Sequence, residues 1–425
     1  MSLIKFSCFA AFFFLVLPAT YGVGAEPVVE AREYVAASSS DLFGDVQNRL
    51  KKLDEKGGGT LHFPAGRYTV KMPKWTDSGE SWWQLNGNVK VSLEPGTRIY
   101  VDAKSSGGKY LLFRVEGEKN IIEGGTLIGD RKNLLGGKIA TLIQVFGAKD
   151  TIVRNINIED AGLDGITIAG AVGSPARRTR IVDVDIKNSK RNGLSATNAI
   201  ELWVDRSTFQ RSNGDKPNDG IDLEPNSDNE VRKVWISNCL FANNAGAGLR
   251  VISGVAGRKE TRAATSGVHV SGCRFENNLT WSFIASRADN LKVVDCVSVK
   301  DEGGAFAFTD VDNGVIRGCT AKGKDLKTAV YCQGVYDFLI TGNPRLEGEV
   351  RVRDAANVSS PNGRRSTRVF IQNNNIVAEK TGIRLESVAK SFVQSNSIRS
   401  GNTPIWSNAA TSETVVRDNI SGPLR

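Results

Sequence analysis

Apolar and polar positions alternate along most of the chain in short runs. From about residue 150 these runs come in pairs joined by Asn, Asp or Gly turns, as in "IVRNINIEDAGLDGITI", "VWISNCLFANNAGAGLRV" and "VHVSGCRFENNLTWSFIAS". A period of two predicts strands. No copy holds an amphipathic run long enough for a helical repeat, and the Leu-x-x-Leu-x-Leu pattern of a leucine-rich repeat is absent.

One position can be followed through the copies: Ile156, Val184, Ser207, Cys239, Cys273, Cys296, Cys319, Asn343, Asn374, Asn396 and Asp418. The shortest steps are about 22 to 24 residues, and longer steps mark inserted loops. A fixed minimum period with insertions above it predicts a solenoid of constant circumference, a parallel β-helix. Free Cys behaves as a small buried hydrophobe, so Cys239, Cys273, Cys296 and Cys319 are read as an interior stack. Asn374 and Asn396 are read as an amide ladder at a bend.

The N-terminus adds a compartment. Lys5, the apolar run "FAAFFFLVL" and small residues before Glu26 predict a secretory signal peptide over residues 1–25. Residues 26–60 are read as a cap region, with Asp41 capping a helix over about 41–54 that carries Phe43, Val46 and Leu50. Residues 61–425 are read as the β-helix domain. A secreted or periplasmic protein, free of the membrane once the signal is cut, is expected.

That helix is followed by Gly57 to Thr60, Phe63, Pro64, Gly66 and Tyr68, and "NIIEGGTLIGD" comes later. These features resemble the opening and an early rung of secreted polysaccharide-active proteins of the pectate-lyase-like superfamily. The resemblance implies an all-β protein: a single-stranded right-handed parallel β-helix solenoid with a short N-terminal capping helix. It also implies a polysaccharide partner. The superfamily holds lyases, glycoside hydrolases, epimerases, phage depolymerases and proteins without catalysis, so the fold leaves the chemistry open.

Charge narrows the partner. The chain has 55 Lys and Arg against 46 Asp and Glu, a net charge of +9, which falls to +8 when the signal removes Lys5. This excess suits acidic polymers such as uronates or sulfated glycans. There is no basic block or nucleic-acid motif, so nucleic acid is not an expected partner. The cysteines outside the signal, the four above and Cys332, form neither a disulfide framework nor a zinc motif.

The stretch "KPNDGIDLEPN" gathers three carboxylates. Aligning "LDGITIAG", "RNGLSATN", "NDGIDLEP" and "GAGLRVIS" stacks Ile166, Leu194, Ile221 and Leu249 inward. Alternation then turns Thr167, Ser195, Asp222 and Arg250 outward, with Glu224 on the same outer face. Asp164, Asn192 and Asp219 form a row at the bend. The candidate catalytic residues are Asp219, Asp222 and Glu224. Asp164, Asn192, Arg250 and Lys216 are candidates to bind substrate. Insertions containing "FQRSNGDKP" and "GVAGRKETRAATS" are expected to wall the groove. Asp and Asn before Gly are also ordinary turn formers, and an outward strand carboxylate is often simply solvated.

Three chemistries compete. A glycoside hydrolase needs one carboxylic acid and one carboxylate and no cofactor. The Asp-x-x-Asp spacing of Asp219 and Asp222 resembles that of phage tailspike hydrolases. A lyase would use Asp222 and Glu224 to hold Ca²⁺ and Arg250 to remove a proton, a demanding role for arginine. A non-catalytic glycan binder would use aromatics such as Trp82, Trp83 and Trp235. The full polygalacturonase set and the Asp-Pro-His element of alginate epimerases are missing, and His62 and His269 read as surface residues. The hydrolase asks least of the residues present.

Overall fold

In a computed structural model the described residues are 33–35, 41–76, 81–133, 139–226, 228–253, 264–323, 326–354 and 365–424. The expected signal peptide and most of the "GVAGRKETRAATS" wall lie outside them. Among the described residues the chain coils into two sheets, one of 25 strands and one of 13. Every strand-to-strand ladder is parallel, from Glu33–Val35 against Thr60–His62 to Ser397–Ser400 against Ile420–Pro423. This is a parallel β-helix: the chain climbs one rung per turn, and each strand pairs with its counterpart in the next rung.

Alternation builds the interior. Ile166, Leu194, Ile221 and Leu249 pair in one register and are fully buried, as the aligned strands require. Phe209, Phe241 and Phe275 stack at 5.5 and 4.9 Å between ring centroids. Cys239, Cys273, Cys296 and Cys319 are free, buried and stacked in successive rungs, and each thiol donates to a backbone carbonyl. Turns use residues that tolerate left-handed backbone, such as Asn238 and Asn277, with φ of 53° and 54°.

The amide ladder is longer than the sequence indicates. Asn343 donates to Asn374, Asn374 to Asn396, and Asn396 to Asn419 at 2.7, 2.9 and 2.9 Å. The last member is Asn419, not Asp418: a carboxylate at that step could not donate to Val393 O as the Asn419 amide does.

The N-terminal end is closed by the Leu42–Glu55 helix, with Asp41 accepting from the Gly44 amide. Its buried stripe is Leu42, Val46, Leu50 and Leu53, while Phe43 packs at the margin. Trp83 is fully buried and donates to Phe43 O at 3.1 Å, so it seals the core end and offers no face to a sugar. Trp235 lies on the 25-stranded sheet, stacked on Trp203 at 5.0 Å and paired in register with His269. Both residues are therefore on a different face from the carboxylate cluster.

Candidate active site

The 13-stranded sheet carries the cluster. Thr167, Ser195, Asp222 and Arg250 pair in one register, so the outward row read from the sequence exists. The structure differs in how deep it lies. Asp222 is only 6% exposed, deeper than an outward position on a strand implies. The bend row Asp164, Asn192 and Asp219 runs alongside and is completely shielded from solvent.

That bend row is itself a ladder. The backbone N–H of Asn192 donates to the Asp164 side chain, that of Asp219 to the Asn192 side chain, and that of Ala247 to the Asp219 side chain, at 3.1, 2.9 and 2.5 Å. Carboxylates cannot donate onward as amides do. Arginines supply the missing donors: Arg191 forks onto Asp164, and Arg250 forks onto Asp219. Arg191 sits at the turn position before Asn192, outside the alternating rows, and the sequence reading missed it. Its signal was an arginine one rung from a buried-row aspartate.

Electrostatics separates the carboxyls. Burial pushes the Asp219 carboxyl above its ordinary value, and the Arg250 pair and the Ala247 N–H oppose that rise. Burial works to lower the Arg250 guanidinium, but Asp219 holds it above its ordinary value. Arg191 is likewise raised by its hydrogen bonds to Asp164. Asp222 has no such partner. Burial, then the charges of Asp219, Glu224 and Asp164, outweigh the pull of Arg250 and push its carboxyl up to about 8.

Asp222 is thus a neutral acid at neutral pH, with one oxygen uncommitted. Oδ2 accepts from the Asn192 amide at 3.3 Å, and Oδ1 is buried without a hydrogen-bond partner. Asn192 also donates to Ser195 at 3.1 Å, which fixes its amide plane. Glu224, two residues on, is exposed, and among the described residues nothing pairs with its carboxylate. Glu224 lies one residue past the end of the Ile221–Leu223 strand, where its backbone N–H donates to Ala196 O at 3.0 Å.

One groove wall is the loop before the Asp222 strand. Arg131 ties it down by donating to Asn188 O and Asn213 O, both at 2.6 Å. Lys190 pairs with Asp215 in the same loop at 3.5 Å. Lys216 is exposed in this loop.

Of the carboxyl groups here, Asp164 and Asp219 are already held by guanidinium groups. Among the described residues no three His, Cys, Asp or Glu side chains gather as metal ligands.

Residues 179–344 match the family described as "Right handed beta helix region". The SPbeta prophage-derived uncharacterized protein YorA of Bacillus subtilis is 27% identical over 185 residues, covering 38% of this chain. The chain spans less than half the length of the curated relatives it matches, 32% of YorA and 43% of a second. Among solved structures, the mannuronan C-5 epimerase AlgE4 A-module of Azotobacter vinelandii superposes with a TM-score of 0.62 at 15% identity. It covers 89% of this chain and 97% of its own. A mutant tailspike protein of Escherichia coli bacteriophage HK620, solved with a pentasaccharide, superposes with a TM-score of 0.52 at 14% identity, over 91% and 62%. At these identities the likeness establishes the fold.

Proposed function

Taking the chain as a right-handed parallel β-helix of the pectate-lyase-like fold, we propose that it is a polysaccharide-cleaving glycoside hydrolase. Its cleavage site is the Ile221–Leu223 strand and the Glu224 that follows it. The observation that carries this reading is the contrast between two carboxyl groups two residues apart. Asp222 is buried, protonated up to about pH 8 and has an unpartnered oxygen. Glu224 is exposed. Glycosidic hydrolysis needs this division of labour: an acid to protonate the leaving oxygen and a carboxylate to activate water or attack the sugar.

In this mechanism Asp222 donates its proton to the glycosidic oxygen as the bond to the anomeric carbon breaks. Glu224 acts from the solvent side. Asn192 orients the acid, and the Asp164–Arg191 and Asp219–Arg250 pairs hold charge around it. As the proton leaves, Arg250 and Arg191 stabilise the Asp222 carboxylate that forms. Asp219, with both oxygens engaged, positions Arg250 and raises the acidity threshold of Asp222, so it is a positioning residue. The lyase alternative needs Arg250 to give up its proton, yet Asp219 favours its charged form, so the hydrolase is preferred and no metal is required. The fold's polysaccharide-handling neighbours agree with a glycan partner. The net charge of +9 favours an acidic one. A secreted or periplasmic site of action suits such a substrate.

Digestion of a polysaccharide panel tests the reading. Reducing-end release without the ultraviolet absorbance of an unsaturated uronate is expected, and Asp222→Asn and Glu224→Gln should each lower it by about 10² or more. Absorbance rising with sugar release would replace the hydrolase with a lyase. Full activity in both variants would move the chemistry elsewhere.

A further inference from the structure

We propose that the same sheet carries a second, remote binding site for anionic glycan chains, built on Arg351, Arg353 and Arg384 between Tyr331 and Trp406. The outward row that contains Asp222 and Arg250 continues through Ile284 and Ala307 to Tyr331, Arg351, Arg384 and Trp406. Between Asp222 and Arg351 lie five strand pairings, about 24 Å at the usual strand spacing of about 4.8 Å.

The patch has more donors than its own carboxylates use. Glu386 serves both Arg351, at 2.8 Å, and Arg353, at 3.7 Å. Glu349 takes Arg384 at 2.7 Å. Three guanidinium groups therefore face two carboxylates, which leaves their exposed outer nitrogens for a ligand; the Nε atoms of Arg351 and Arg353 are themselves buried. The three side chains remain partly open, 33%, 28% and 29% exposed. Planar guanidinium forks bind carboxylate and sulfate groups in a bidentate manner.

Aromatic surfaces bracket the charge. Trp406 is 37% exposed and lies under Arg384 at 4.9 Å. Tyr331 packs near Trp281 at 6.2 Å between ring centroids. Aromatic faces suit sugar rings, and guanidinium groups suit uronate or sulfate substituents. The row between this patch and Arg250 is uncharged at Ile284 and Ala307.

This proposal shares with the hydrolase reading only the choice of face. Its test uses the Asp222→Asn/Glu224→Gln protein, which leaves binding separate from cleavage. Affinity electrophoresis through gels containing alginate or polygalacturonate should retard it, and gels containing neutral dextran should not. Arg351→Ala/Arg384→Ala should weaken retention by about tenfold or more, and so should Trp406→Ala, which leaves every ion pair's charges in place. Arg178→Ala/Arg206→Ala, on the other sheet, should have no effect. Absent retardation by either acidic polymer, equal loss in the Arg178/Arg206 control, or equal retardation by single-stranded DNA would each overturn the proposal. Retention without any cleavage by the wild type would leave this site standing and sink the hydrolase. Cleavage with unchanged retention in the arginine and tryptophan variants would do the reverse.

Discussion

Two polar ladders run along this β-helix, and they solve one problem with different chemistry. From Asn343 to Asn419 each buried amide both accepts and donates, so the row satisfies itself. From Asp164 to Asp219 the outer members are carboxylates, and Arg191 and Arg250 must complete them. A bend device has thereby brought two buried carboxyl groups and two guanidinium groups around Asp222. The amide ladder stabilises a turn, while the acidic ladder also sets the protonation of its neighbour. The lesson is that replacing Asn by Asp in a structural row changes what the adjacent strand can do.

The comparison breaks most sharply in turnover. Asp222→Asn preserves shape and removes the acid, so the cleavage rate should fall by about 10² to 10⁴, the usual worth of general acid catalysis. Initial rates on the first polysaccharide found to be cleaved would check it. Next comes Arg250→Leu, which strands the buried Asp219 carboxylate and should cost about 3 to 5 kcal/mol in denaturant unfolding. Adding Asp219→Asn should recover much of that loss, because an amide needs no cation. Asn374→Ala in the other ladder leaves buried backbone donors unmatched and should cost about 1 to 3 kcal/mol, with no change in the pH dependence of stability.

The most specific effect is read one unit of pH at a time. The folded state holds the Asp222 proton up to about 8, above its ordinary value of 3.8. The unfolded chain gives that proton up first, so stability should decline as pH rises between those values, by as much as about 1.4 kcal/mol per unit. Asp222→Asn should flatten that part of the curve and be the more stable protein near its alkaline end. Parallel curves for the two proteins would contradict this.

Much of the fold is written in the sequence because each rung repeats the last. The cysteine row, the amide ladder and the pairing of Asp222 with Ser195 and Arg250 all follow from residues recurring at one register. The repeat weakens in the final rung, and there the reading slipped by one residue, to Asp418 in place of Asn419. Burial of Asp222 was not legible, because it depends on loops and neighbouring rungs that alternation does not describe. Arg191 was hidden for a related reason: its partner Asp164 lies 27 residues away, across a turn. Adjacent tryptophans show the limit at the cap, where strand alternation sends Trp83 inward beneath Phe43.

The central claim is that Asp222 is a neutral acid at neutral pH, and infrared difference spectroscopy of wild type against Asp222→Asn reads it directly. At about pH 6 the account predicts a protonated-carboxyl stretch in the wild type that the variant lacks, disappearing as pH passes about 8. A wild-type spectrum with no such band at about pH 6, and an extra carboxylate band in its place, would contradict it.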